Sequence, residues 1–322
     1  MRYLYLTFLV VTLAAISPHS SARSRPFDRY TPVEKSAKPK QHSAATFFED
    51  GERLMQNGEH KKAAKVFKKI VKKYPDNPVA VTAQFNVGEA FFKLRKYKKA
   101  FQAYQKLIDS HPGFSGLKDA LKRQFEIAEI YYNNKPKKLP VVPVSIPANR
   151  RPAIEFYEKI IANAPFSSFS QISRYHIARV YNDSNKYDEA IAAYQRFIDH
   201  SPGNEHVPDA LYRSGRCYEE KAFGTRYDEV SLKKAVGIFN NYLKRFPRGE
   251  RSDEVKQTLK RLYEKQAREN YEIGLFYEKQ LKHKSAKIYY QTVLDNHPNS
   301  VWAKNARNRL QKLESGDKKQ VN

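Results

Sequence analysis

Four stretches of this chain carry the same landmarks at the same spacing. From Gly51, steps of 12, 16, 19 and 24 residues reach Ala63, Phe67, Ile70 and Pro75. The same steps from Gly88 reach Ala100, Tyr104, Leu107 and Pro112. From Ala178 they reach Ala190, Tyr194, Phe197 and Pro202, and from Gly274 they reach Ala286, Tyr290, Val293 and Pro298. Four registers that agree without adjustment restrict the chain to an array of one repeated unit. Two more units fit once their halves are separated. Ala128 is followed by Ala153, Tyr157, Ile160 and Pro165, and Gly215 by Ala235, Phe239, Tyr242 and Pro247, with 13 and 8 extra residues in the first step.

Each slot has a physical reason. A small residue midway along a first helix lets a second helix approach, and the alanine opposite serves the same contact. The aromatic residue four positions later fills the space beside them at helical spacing. Proline stops the second helix, because its ring clashes with the preceding turn and it has no N–H to donate. One such pair cannot bury both of its faces, so the pairs must stack. These landmarks are the tetratricopeptide pattern. The expected fold is all-α, a tetratricopeptide-type helical-hairpin solenoid of about six helix pairs plus a C-terminal closing helix. The usual period is 37 residues. The longer gap from Pro247 to Gly274 reads as one long helix from Ser252-Asp253-Glu254 to Tyr277, with a cap and an acidic first turn at its start. Ser300–Leu313 is expected to form the closing helix.

Composition agrees with a thin, elongated core. Mean hydropathy is −0.76, and 29% of residues are charged beside 13% aromatics. Only 12 Gly and 17 Pro argue against a sandwich with many tight turns. Met1-Arg2, the apolar run Leu4–Ile16 and the small residues Ser20-Ser21-Ala22 read as an export signal cleaved after Ala22. No Cys follows that run to accept a lipid, and Cys217 is the chain's single cysteine, so no internal disulfide is expected. The expected organisation is a signal peptide over 1–22, a disordered basic tail over 23–44, two pairs over 45–113, four pairs and the closing helix over 114–314, and a disordered tail over 315–322. Lys and Arg number 59 against 34 Asp and Glu, a net charge of +25. They are spread along the helices without a nucleic-acid motif, so the expected partners are proteins and an anionic membrane surface, not nucleic acid.

Residues 151–310 resemble a narrower family, the BamD-like outer-membrane protein assembly factors of bacteria. The resemblance rests on Ala164-Pro165-Phe166-Ser167-Ser168-Phe169-Ser170-Gln171 and on Asp209-Ala210-Leu211-Tyr212 with the loop after Tyr218. It extends through Lys234-Ala235…Phe239…Phe246-Pro247 and Ala267-Arg268-Glu269 with Ile273, Phe276-Tyr277 and Ala286. It implies a scaffold on the periplasmic face of the outer membrane. Its partners would be the β-barrel insertion machinery, unfolded outer-membrane proteins, or both. It also implies a basic contact from the late long helix, which falls on Lys265 where the family usually shows Arg; Lys keeps the charge and loses the bidentate fork. The family is usually lipidated on an N-terminal Cys, absent here, and the pairs at 45–112 extend beyond the shared core. The alternative is a general periplasmic tetratricopeptide adaptor, for example one coordinating cell-envelope or peptidoglycan synthesis.

Three residues before each small landmark stands an aromatic: Phe48, Phe85, Phe125, Tyr175, Tyr212 and Tyr271. They either form a ribbon that grips an extended peptide or pack between neighbouring pairs, with the tyrosine hydroxyls reaching solvent. The loop Asn133–Arg150, with four prolines and an apolar centre, is either a docking arm or a tolerated loop. Reaction chemistry is not expected. The nine His show no metal-ligand spacing, and neither a phosphate loop nor a nucleophile elbow occurs, so no cofactor, metal or catalytic residue is assigned. Cys217 reads as a small core residue. Glu219-Glu220 reads as a solvated face.

Overall fold

The computed structural model describes residues 43–133, 150–223 and 228–320, with side chains to 315, and the backbone of 137–138 and 145–146. The expected signal segment lies outside the described residues, as does all of the basic tail before Ser43. Ser43–Asn322 forms one compact unit.

Its helices fall into six antiparallel hairpins. These are α1 (Ala44–Gln56) with α2 (His60–Lys73), α3 (Pro78–Lys93) with α4 (Tyr97–Ser110), and α5 (Leu117–Tyr132) with α6 (Arg151–Asn163). They continue as α7 (Ser168–Asp183) with α8 (Tyr187–His200), α9 (Val207–Ala222) with α10 (Glu229–Arg245), and α11 (Ser252–Lys279) with α12 (His283–Asn296). α13 (Val301–Gln320) closes the stack. Between α5 and α6 two short strands, β1 (Lys137–Lys138) and β2 (Ser145–Ile146), pair antiparallel with Lys137 opposite Ile146. The rest of the expected arm at 133–150 lies outside the described residues.

The repeat landmarks are the core. The step-12 alanines and the step-16 aromatics Phe67, Tyr104, Tyr157, Tyr194, Phe239 and Tyr290 have no exposed surface in any hairpin. The first position is small because the ring sits against it. A Cβ on Gly51, Gly215 or Gly274 would lie 2.5, 2.6 or 2.6 Å from the edge of Phe67, Phe239 or Tyr290, closer than real Cβ contacts come.

Helix ends follow from proline. The residue before each landmark Pro leaves the helix at φ −132 to −152° and ψ 50 to 74°, the region left open when the proline ring blocks the α conformation. Its N–H still reaches the carbonyl of the step-19 residue, as in Tyr74 to Ile70 at 2.8 Å. Hairpin tips use a different device. Gly58, Arg95, Asn185 and Leu281, each seven residues past the small landmark, adopt φ of 75, 56, 56 and 59°. Each forms a Schellman turn; Lys282 N–H donates to Tyr277 O at 3.0 Å and Leu281 N–H to Glu278 O at 2.9 Å.

The expected long helix is α11. Ser252 is its first helical residue rather than its cap, because its hydroxyl donates to Phe246 O at 2.8 Å. Ser43 caps α1, its Oγ accepting from Thr46 N–H at 3.2 Å. α13 covers the last hairpin through Trp302, whose ring lies 5.3 Å from that of Tyr271, and through buried Ala306 and Leu313. The sequence places the end of this helix at Leu313 and a disordered tail from 315. The backbone instead stays helical to Gln320, with no proline to stop it.

Candidate partner-binding surface

The six aromatics set three residues before the small landmarks all face the second helix of their own hairpin. Ring centroids are 5.6 Å apart for Phe48–Phe67, 5.5 Å for Phe85–Tyr104, 5.9 Å for Phe125–Tyr157 and 5.6 Å for Tyr271–Tyr290. Tyr212 lies 6.2 Å from Phe239, and Tyr175 lies 5.5 Å from Phe197. Phe48, Phe85 and Phe125 stay half-buried, whereas Tyr175, Tyr212 and Tyr271 are buried.

The hydroxyls of Tyr175 and Tyr212 do not reach solvent as expected. Tyr175 donates to Asp209 and Tyr212 to Glu254, each on the first helix of the next hairpin. Burial, then the bonded carboxylate, pushes both phenols up to about 12. Asp209 also accepts from Arg213 and pairs with Arg251 at 3.3 Å. Burial alone would raise its carboxyl, but Tyr175 and Arg213 hold it below the ordinary value. These tyrosines tie hairpin to hairpin.

Lys265 departs from the exposed position expected of a charge on a polar helix. It is half-buried, and its Nζ sits 4.0 Å from the centre of the Phe223 ring just past α9. One turn earlier Arg261 pairs with Glu219, which also accepts from Arg216 at 2.7 Å. Glu219 is thus a buried anchor between α9 and α11, not part of a solvated face. The three-residue spacing to Arg216 was the signal available for it. Arg268 continues the basic row and pairs with Glu272 at 2.7 Å. Cys217 is fully buried, its thiol 3.1 Å from Asn182 Oδ1, and burial pushes it up to about 12. Such a thiol is a packing residue. No helix among the described residues is long and apolar enough to cross a membrane.

The surface is therefore a stack of tied hairpins, interrupted after α9 and followed by a long helix that carries the row Arg261, Lys265 and Arg268. Residues 148–316, just over half the chain, match the family described as outer membrane lipoprotein, YfiO. The chain belongs to this family. The hairpins ahead of the family match, at residues 48–113, match a tetratricopeptide repeat family. The outer membrane protein assembly factor BamD of Caulobacter vibrioides is 24% identical over 149 residues, 46% of this chain and 49% of that protein. The chain thus spans about half the length of the curated relative it matches. Among solved structures, MamA is 17% identical and covers 64% of this chain and 92% of its own, with a TM-score of 0.35. A tetratricopeptide repeat protein from Parabacteroides merdae is 13% identical, covering 84% of this chain and 98% of its own, with a TM-score of 0.34. Likenesses that distant carry no functional argument.

Proposed function

We propose that this chain is an exported tetratricopeptide scaffold of the BamD type. It works on the periplasmic side of the outer membrane and binds protein partners in the assembly of β-barrel proteins. The observation that carries the reading is the overlap of two independent features. The family match over 148–316 spans the stretch with the opened hairpin α9–α10 and the long α11. A solenoid offers extended surface for holding proteins. The net charge of +25 suits an acidic partner face or an anionic membrane surface.

α11 is the partner helix in this reading, with Lys265 and Arg261 held at fixed positions by Phe223 and Glu219. Phe48, Phe85 and Phe125 offer ring edges for an unfolded segment. The test is crosslinking in cells followed by recovery of the β-barrel insertion protein, using parent, Lys265→Arg and Lys265→Glu. Parent and Lys265→Arg should recover it and Lys265→Glu should not, with recovery falling as salt rises. Because Lys265→Glu also removes a cation–π contact worth about 0.5–2 kcal/mol, thermal unfolding is measured alongside. Equal recovery with all three variants removes Lys265 from the contact. No recovery with any, and capture of peptidoglycan-synthesis proteins instead, would replace this reading with that of a general envelope adaptor.

A further inference from the structure

The first two hairpins lie outside the family match, and they hold a groove that the reading above does not use. Its volume is about 610 Å³. Lys68 and Lys72 of α2 form one wall, and Lys99 and Lys106 of α4 form the other. The floor is apolar, made by Val71, Val87, Phe91 and Ala103. Buried Gln84 ties α3 to α4 beneath the groove by donating to Ala103 O at 2.8 Å. The four lysines are exposed, and none of them is in an ion pair among the described residues. Residues 43–113 hold fourteen Lys and Arg against seven Asp and Glu.

The next junction shows why this space is open. Ala103 stands three residues after the step-12 alanine of its hairpin, and in the following hairpin that position is Phe156. The Phe156 ring stacks on Phe101 at 4.3 Å and meets Tyr131 at 5.0 Å. The lysines of the α2 wall are replaced there, with Gln105 and Asp109 standing where the first junction has Lys68 and Lys72, while Lys159 keeps the place of Lys106. One junction is sealed by an aromatic and by the hydrogen-bonded amides of Gln105, Gln124 and Asn163, while the other keeps an apolar floor between two cationic walls.

We propose that this groove binds an acidic peptide segment of a partner protein, with one apolar side chain seated on Val71, Val87, Phe91 and Ala103 and carboxylates facing the four lysines. Charge complementarity selects the acidic class. The recessed floor between two helices selects a peptide over the planar surface of a bilayer, which would meet the lysines without reaching Val87. An aromatic side chain on the partner replaces, in trans, what Phe156 supplies in cis at the next junction.

The probe is a fluorescein-labelled nonapeptide of Glu and Asp with one central Phe, measured by anisotropy against the full chain. Expected is saturable, salt-sensitive binding. It should be weakened about tenfold or more in Lys72→Glu/Lys99→Glu and changed less than about twofold in Lys304→Glu/Lys312→Glu, which makes the same charge change on α13. Replacing the peptide's Phe with Ala should weaken binding about tenfold or more, the worth of one desolvated apolar side chain. In Ala103→Phe, which fills the floor, both peptides should bind at that weaker level. Four results would overturn the proposal: no binding, equal loss in both double variants, indifference to the peptide's Phe, or retention on phosphatidylglycerol vesicles through Lys72 and Lys99 without peptide binding.

Discussion

Two tyrosines at the same repeat position test whether hydroxyl satisfaction, rather than ring burial, sets the stability of a hairpin. Tyr104 and Tyr194 both occupy step 16 and both are fully buried. The Tyr104 hydroxyl donates to Glu89 Oε1 at 2.6 Å, whereas the buried Tyr194 hydroxyl has no partner among the described residues. The difference traces to the residue after the small landmark, Glu89 in one hairpin and Arg179 in the other. Tyr104→Phe removes a hydrogen bond to a charged group, worth about 1.5–3 kcal/mol. Glu89 keeps Arg123 Nε at 2.8 Å and Nη2 at 3.0 Å, so its carboxylate is not orphaned, and the low end of that range, about 1.5 kcal/mol, is expected. Tyr194→Phe removes an unsatisfied buried hydroxyl and leaves the ring contacts in place, so a gain of about 1 kcal/mol is expected. Urea unfolding of both variants and parent, compared at unchanged m, reads the contrast of about 2.5 kcal/mol. Equal destabilisation by the two substitutions would refute the reasoning, because it would mean that the Tyr194 hydroxyl is as well bonded as that of Tyr104.

Leu281 is 78% exposed and held at φ 59°, so Leu281→Gly relieves a left-handed strain without losing packing and should gain about 0.5–1 kcal/mol by thermal unfolding. Ala286→Leu should cost about 1–3 kcal/mol by overpacking against Tyr290, and a melting curve that matches the parent would show the register is misread. Asp209 has a folded-state carboxyl held below its ordinary value, so its stabilisation is complete above about pH 4 and lost as pH falls through the lowered value. Asp209→Asn should therefore be less stable at pH 7 and lose less further stability on acidification, as followed by urea midpoints between pH 7 and 3.

The core was legible in the sequence because it is local. Gly274, Ala286, Tyr290 and Val293 sit within one hairpin, and the approach of Tyr290 to Gly274 forces both the spacing and the residue size. The left-handed tip was not legible. Only Gly58 and Asn185 carry a residue type that signals it, while Arg95 and Leu281 are held there by the Schellman bonds around them. The placements of Lys265 and Glu219 were also hidden, because each depends on how two helices distant in sequence face each other. No spacing rule connects Lys265 to Phe223, or Arg261 to Glu219. The aromatic positions were found, but the direction of the Tyr175 and Tyr212 hydroxyls is set by carboxylates on the next hairpin, Asp209 and Glu254, which no single repeat contains.

The tight tips carry a consequence for how such an array changes length. Steps 12 to 24 of every unit stay in register whether the tip is a Schellman turn, as at Leu281, or an insertion, as at 133–150. The tips are thus the joints at which chain can be added while every core distance is kept. A fluorophore or affinity tag spliced beside Gly58 would ride on the array as the natural insertions do. The same tag one turn inside α2 would displace Phe67 from Gly51 and unseat the first hairpin from the second.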